Sequence, residues 1–344
     1  MRRLLSAATA AVSLAVGAAA CTDPAPVAGS GGGARPVHGT PSPAGSDRTE
    51  TPVPPAAPEA GAGALQNHPG GTPVSLIARL DGSGHIPAKG GQDDGGGGQD
   101  GGGDRDGRAV ARIQIRGDRI TFSLTWNGLS TPTLARIHRG EAGANGDLVA
   151  GLFTKALPDG VHSAAGQTTV TDADLAELLR TDPGGHYVSL HTDEFPGGAV
   201  RAQLESYDRE FNPLSVIQGG EPRAQADGGQ KVPAAGVRAA ADPDGHAVVF
   251  LRPGSGSLGY SLTWVNITPP LSVHLHKGAL GRNGPIALPL LGTPMPPNIF
   301  AVAGTVPVPR AELIRQLTSR PEAFYASLRT EDFRDGAVRG QFFR

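Results

Sequence analysis

The chain has 344 residues, of which 51 are glycine and 31 proline, and its formal net charge is −2 at pH 7. This near-neutral balance provides no basic face of the kind that binds nucleic acid, so we expect no nucleic-acid partner. The single cysteine excludes an intrachain disulfide.

Residues 1–21 have the pattern of an export signal peptide. Arg2 and Arg3 precede an apolar run and a series of small residues that ends at Cys21. A lone cysteine in this place is similar to the processing site of bacterial lipoproteins, although Ala18 stands where leucine is usual. Lipidation of Cys21 would anchor the protein on the outer side of the cell membrane, through the lipid only. Ordinary cleavage after the alanines would instead give a secreted protein.

Residues 22–71 consist mainly of Pro, Ala, Gly, Ser and Thr, with almost no large apolar side chains. Such a segment buries too little surface to offset its chain entropy, so we predict a disordered tether. About 50 flexible residues give a reach on the order of 40 Å.

The rest of the chain contains one sequence pattern twice. Phe122-Ser-Leu-Thr-Trp126 recurs as Tyr260-Ser-Leu-Thr-Trp264, and 138 residues separate the two tryptophans. The same offset relates Asn145-Gly146 to Asn283-Gly284, and it holds from Asp106 to Gln203 in the first copy. A repeat kept in register through loops indicates an internal duplication.

Further shared motifs resemble the CHRD family, the module first noted in chordin and common in bacterial secreted proteins. They are Ile-His-Arg-Gly at 137–140 with Leu-His-Lys-Gly at 275–278, Tyr-x-Ser-Leu-x-Thr at 187–192 and 325–330, and Gly-Ala-Val-Arg-x-Gln at 198–203 and 336–341. On this basis we divide the chain into CHRD-like domains 72–205 and 212–344, joined by a linker at 206–211.

Each copy is predicted to be an all-β antiparallel sandwich, Ig-like or barrel-like, with one short helix. Large residues alternate at Phe122, Leu124 and Trp126, as in a half-buried strand. Similar runs are expected at Val74–Leu80, Ala109–Ile115, Leu134–Arg139, His186–Thr192 and Ala199–Leu204. One helix is predicted to begin near Thr171 and to end before Pro183, and the other is predicted at Arg310–Thr318, ended by Pro321.

A Gly/Asp-rich loop at 90–107 interrupts the first copy. Its aspartates offer oxygen ligands for calcium, but the second copy has no equivalent and no regular apolar position recurs. We therefore interpret it as a disordered loop. Asn145-Gly146 and Gly197-Gly198 are predicted to be tight turns that need a positive φ.

Two histidines in the second copy are candidates for metal binding. His274 and His276 alternate with Val273 and Leu275, so we expect both imidazoles to project from one strand face. Two imidazoles at this spacing can share one metal ion, copper or zinc, if another ligand joins them. The first copy has Arg136 and His138 at the equivalent positions.

The CHRD resemblance implies a third histidine, which is His191 in the first copy and Arg329 in the second. Each copy therefore has two of the three family histidines: His138 with His191, and His274 with His276. A permanent guanidinium charge disfavours a cation there. The His-x-His strand is also similar to copper/zinc superoxide dismutase, but the bridging histidine and acidic zinc ligands of that enzyme are not recognisable.

A second polar pair alternates on the last strand of each copy. Arg201 and Gln203 recur as Arg339 and Gln341, which favours a fixed hydrogen-bond network or a ligand contact. Tyr187 and Tyr325 belong to the same candidate network. We expect acidic partners for the arginines at Asp193-Glu194 and Glu331-Asp332.

These features favour a non-enzymatic exported module that binds an extracellular protein, a glycan or an envelope component. No nucleophile elbow, phosphate loop or zinc-protease motif is present in the sequence. The alternative is an exported copper- or zinc-binding protein, with or without superoxide-dismutase-like activity. We assign no catalytic residue and expect no resident cofactor other than such a metal.

Overall fold

The computed structural model describes residues 72–84, 86, 102–170, 173–233 and 241–344. The predicted export signal with Cys21, the tether and most of the Gly/Asp-rich loop lie outside these residues. Within the described part of the chain, no helix is long and apolar enough to cross a membrane.

The described part of the first copy contains nine strands and one α-helix. They are β1 (Val74–Asp81), β2 (Arg108–Arg116), β3 (Arg119–Asn127), β4 (Pro132–Arg139), β5 (Leu148–Phe153), β6 (Val161–Thr169), α1 (Ala173–Thr181), β7 (His186–Thr192), β8 (Val200–Gln203) and β9 (Glu205–Ser206).

The second copy repeats this order. Its elements are β10 (Arg223–Asp227), β11 (His246–Pro253), β12 (Ser257–Val265), β13 (Ser272–Lys277), β14 (Ile286–Leu291), β15 (Ile299–Pro307), α2 (Ala311–Ser319), β16 (Phe324–Arg329) and β17 (Val338–Phe343). The predicted all-β class with one short helix per copy is confirmed.

Alternation of side chains produces the core, as the sequence predicts. Phe122 and Leu124 on β3 are fully buried, and Trp126 follows them on the same face. Ser123 points the other way yet is also buried, because a short 3₁₀ segment at Pro213–Val216 packs against β3. The segment after the predicted linker therefore covers the outer face of the first copy.

All strand pairs are antiparallel, and the copies share one topology. In the first copy the paired order runs β5-β4-β7-β8-β1-β2-β3-β6. In the second it runs β14-β13-β16-β17-β10-β11-β12-β15. This order places β4, β7 and β8 side by side, and likewise β13, β16 and β17.

The two copies are joined by a strand pair. β6 of the first copy lies antiparallel to β15 of the second, with Ala164 opposite Val302 and Gly166 opposite Ile299. The pairing is two-fold symmetric in the repeat, since the equivalent residues Val161 and Gly304 are also opposite each other. The linked copies lie within one compact unit.

Backbone bonds at the junction follow the same symmetry. The Gln167 amide donates to the Asn298 carbonyl at 2.9 Å, and the Thr305 amide donates to the Gly160 carbonyl at 2.9 Å. These four residues form two equivalent pairs at the 138-residue offset. Each copy thus covers the strand edge that the other would otherwise expose.

Candidate functional site: a polar face on each copy

A cluster of polar side chains lies on the face of β4, β7 and β8 opposite the core. Ile137 and Val188 are fully buried on the core side, so their neighbours along each strand project to the other side. We call this set polar face 1; its members are Arg136, His138, Tyr187, Ser189, His191, Arg201 and Gln203. Polar face 2 is the equivalent set His274, His276, Tyr325, Ser327, Arg329, Arg339 and Gln341.

A stack of three side chains forms the centre of each face. The His138 and Tyr187 rings are nearly parallel, with their centroids 5.0 Å apart. The Arg201 guanidinium lies over the tyrosine ring, 3.3 Å from its centroid. The stack combines ring packing with a cation–π interaction.

Polar face 2 repeats the stack. His276 and Tyr325 are stacked with centroids 4.8 Å apart, and the Arg339 guanidinium lies 4.0 Å from the same ring. The strand register explains why the three strands bring these side chains together. His276 on β13 is directly opposite Tyr325 on β16, and Tyr325 is opposite Gln341 on β17. The predicted grouping of the tyrosines with the Arg-x-Gln pair is therefore a direct contact in both copies.

The histidine and tyrosine tips hold the Asn-Gly turn. His138 Nδ1 is 3.1 Å from the Gly146 carbonyl, while the Gly146 amide donates to the Tyr187 hydroxyl at 3.3 Å. His276 Nδ1 and Tyr325 make the same contacts with Gly284 at 3.0 and 3.2 Å. An imidazole bonded to a carbonyl carries its proton on that nitrogen.

The positive φ predicted for the two glycine turns is found at Gly198 but not at Gly146. Glycine is needed at position 146 for a different reason. A Cβ on Gly146 would overlap the Arg139 carbonyl, and one on Gly284 would overlap the Lys277 carbonyl. Close approach of the backbone, rather than a left-handed conformation, therefore explains the glycine of the Asn-Gly turn.

Arg201 and Gln203 hold the loop between β4 and β5, residues 140–147. The Arg201 guanidinium donates to the Ala144 carbonyl at 2.6 Å and to Asn145 Oδ1 at 2.8 Å. Gln203 Nε2 donates to the Gly140 carbonyl at 2.8 Å.

Arg339 and Gln341 make the equivalent bonds to the loop between β13 and β14, residues 278–285. Arg339 donates to the Ala279 and Arg282 carbonyls at 3.2 and 3.3 Å, and Gln341 donates to the Gly278 carbonyl at 2.9 Å. A guanidinium with five donors suits several carbonyls at once.

The acidic partners expected for these arginines are replaced by loop carbonyls. Among the described residues, Asp332 instead accepts a bond from the Thr268 hydroxyl, and Glu331 pairs with Arg334. The physical reason is topological: both carboxylates lie in the turn after β16, whereas Arg339 is buried beneath the β13–β14 loop. The strand pattern identified the polar pair but not the distant loop that it bonds.

Burial governs the protonation of the histidines. It lowers the pKa of His138 and of His276, and the bond from each Nδ1 to a carbonyl offsets part of that effect. Burial and then the Arg329 charge lower the pKa of His274. These imidazoles are therefore neutral at neutral pH.

His274 and His276 do share a strand face, as the sequence predicts, with ring centroids 6.0 Å apart in an edge-to-face arrangement. The described residues contain no group of three or more His, Cys, Asp or Glu side chains placed to hold a metal ion. The ligand type is suitable, but the two imidazoles are accompanied by Arg329 rather than by a third ligand.

Two equivalent positions carry arginine and histidine in opposite order in the two copies. In polar face 1, Arg136 is on β4 and His191 on β7, whereas in polar face 2 His274 is on β13 and Arg329 on β16. One guanidinium and one imidazole are thus exchanged between neighbouring strands. His191 is engaged, since its Nδ1 lies 2.8 Å from the Pro196 carbonyl and its Nε2 3.1 Å from Ser189 Oγ.

Sequence reasoning missed Asn145, Asn283 and Lys231 as members of the network. Asn145 donates to the Ile86 carbonyl at 2.9 Å, and Asn283 donates to the Val232 carbonyl at 3.0 Å. Both asparagines therefore connect the loop to the segment after the first strand of their copy. The recurrence of the two asparagines at the 138-residue offset was the sequence signal that could have identified them as network members.

Two regions of the chain match a known family. The CHRD domain family model matches residues 78–204 and 223–342, which together contain both polar faces. The chain belongs to the CHRD domain family. No curated protein and no solved structure matches the chain.

Proposed function

We propose that this CHRD protein is an exported, lipid-anchored, non-enzymatic module that binds a component of the cell envelope or its surroundings. The observation that carries the proposal is the rigid support of two equivalent loops, 140–147 and 278–285, by buried side chains. Loops held on a rigid scaffold are the usual site of recognition.

The supports are the same in both copies, while the exposed loop residues differ. Ala142 and Ala144 occupy the first loop where Leu280 and Arg282 occupy the second. Leu280 is 70% exposed, so most of its apolar surface is available for contact with a partner. This contrast favours the second loop as the stronger contact, with an extracellular protein or glycan as its partner.

The engagement of the tyrosine, arginine and glutamine side chains of each polar face with the loop supports a binding role. The tyrosine, arginine and glutamine side chains donate to main-chain carbonyls or stack on each other, which fixes them in place. A general acid or base needs to reach a substrate proton. These contacts serve the loop instead.

Replacement of Cys21 tests anchoring. In a bacterial host with lipoprotein processing, we expect the wild-type protein to incorporate a clickable fatty acid and to fractionate with membranes. Cys21→Ser removes the thiol that is acylated, so the label should be lost and the protein should appear in soluble or secreted fractions. Membrane retention of Cys21→Ser at the wild-type level would contradict a lipid anchor.

Substitution of Leu280 tests the binding surface. We expect Leu280→Glu to weaken sedimentation of the purified protein with isolated cell envelopes by about tenfold, since burial of a leucine contributes about 1.5–3 kcal/mol. Ala142→Glu at the equivalent position of the first copy is the matched control and should have a smaller effect. Equal binding by both variants and the wild type would remove the second loop from the interface.

A further inference from the structure

Polar face 2 contains four buried side-chain nitrogens that have no hydrogen-bond partner among the described residues. They are His274 Nδ1, His276 Nε2, Arg329 Nε and Arg339 Nε. A buried polar group without a hydrogen-bond partner costs free energy, and its presence in a native fold calls for a ligand or ordered solvent. Arg339 and His276 are only 1% and 8% exposed.

Polar face 1 satisfies the corresponding groups internally to a greater extent. His191, which replaces Arg329, is bonded at both ring nitrogens by Ser189 and Pro196. Within the described part of polar face 1, only Arg136 Nε has the same unpartnered status. The exchange of guanidinium and imidazole therefore accounts for the unpartnered nitrogen of Arg329, whose place is taken in polar face 1 by the bonded His191.

Lys231 adds a third cation to polar face 2. Its ammonium lies beside Gly336 and Ser327 and donates to the Asp335 carbonyl. The positive charges of Arg329, Lys231 and Arg339 all act on His276. These cations are donors only, so the groups that they lack are acceptors.

We propose that polar face 2 binds one oxyanion, a sulfate, phosphate or carboxylate group, through Arg329, Lys231 and His276. The inference rests on the proposed binding function and names a ligand class for its second copy. An oxyanion supplies several acceptor atoms and negative charge together, which matches guanidinium and ammonium donors.

The site is open on one side. Arg329, Lys231 and His274 are each half-buried, whereas Tyr325 and Arg339 are buried beneath them. An anion can therefore reach the outer cations from solvent while the stacked residues form a rigid floor. The exposed Asp335 carboxylate is an opposing charge that acts on Lys231.

Binding should be linked to proton uptake. His276 Nδ1 donates to Gly284, so Nε2 carries no proton in the neutral ring, and protonation there creates a donor for the anion. Burial and the charges of Arg329, Lys231 and Arg339 lower the pKa of His276 in the free protein. The negative charge of a bound anion would raise the pKa of His276 again. The other titratable groups around His276 and Lys231 are His274 and Tyr325, whose rings contact His276, and Asp335, whose charge acts on Lys231.

Inorganic sulfate is the first probe. We expect titration calorimetry of the purified chain, at constant ionic strength in sodium chloride, to show one sulfate site. The affinity should rise as the pH falls, by up to about tenfold for each pH unit below the ordinary histidine pKa near 6.5, until the pH reaches the lowered pKa of His276 in the free protein. Phosphate and acetate titrations distinguish a tetrahedral dianion from a carboxylate.

Arg329→Gln and Lys231→Gln should each weaken sulfate binding by about tenfold, the effect of losing a charge-assisted hydrogen bond. His276→Gln should abolish the pH dependence. Arg136→Gln on polar face 1 is the matched control and should leave the affinity unchanged, with circular dichroism confirming the fold of every variant.

Absence of saturable binding for all three anions would overturn the proposal, as would equal weakening by Arg136→Gln. These measurements use isolated protein, whereas anchoring and envelope binding are measured in cells and on envelopes. Failure of the oxyanion site is therefore distinguishable from failure of the proposed function.

Discussion

Replacement of Arg339 by methionine is expected to lower the free energy of unfolding by about 3 kcal/mol, because the carbonyls of the second loop lose their buried donor. Arg339 is almost fully buried, and it donates to Ala279 and Arg282 and stacks on Tyr325. Urea unfolding followed by tryptophan fluorescence measures the change.

Arg315→Met on α2 is the matched control for this loss. The Arg315 side chain is 73% exposed and pairs with Glu312 in the preceding turn, so its removal should change the unfolding free energy by less than about 0.5 kcal/mol. Equal urea midpoints for the two variants would show that the buried guanidinium does not stabilise the fold.

Gly304→Val is expected to lower the free energy of unfolding by about 3 kcal/mol through steric overlap at the junction of the copies. A Cβ at Gly304 would overlap the Tyr260 hydroxyl and lie 2.7 Å from the Gly160 carbonyl of the other copy. Tyr260 is fully buried, so it has no space to move. Thermal and urea unfolding of the intact chain measure the effect.

Gly292→Val provides the control for β-branching and lost chain flexibility. A Cβ at Gly292 has no atom within 4 Å, and we expect a change of less than about 0.5 kcal/mol. If Gly304→Val were as stable as this control, the tight packing between β12, β15 and β6 would not hold in solution.

Much of each strand could be predicted because alternation is a local property. Val273 and Leu275 are fully buried while His274 lies on the opposite face, as their spacing predicts. The polar faces follow from the same rule. The repeat also identified the residues that both copies retain.

The partners of these residues could not be predicted, because they come from distant segments. Arg201 bonds to a loop about 57 residues earlier in the chain, and no local pattern encodes which loop covers which face. The reciprocal exchange of Arg136 with His191 was visible only as two separate substitutions. The pairing of β4 with β7 places the two positions on neighbouring strands. It shows that the arginine lies on the first of these strands in one copy and on the second in the other.

The pairing of β6 with β15 fixes the distance between the loops at 140–147 and 278–285. Two domains on a flexible segment sample many separations, so their effective concentration at a second target site depends on chain entropy. Here that entropy is already lost on folding, so the separation of the two loops is fixed. Under the proposed binding function, we expect a repetitive surface whose spacing matches this separation to be bound bivalently, and one with another spacing to engage a single loop.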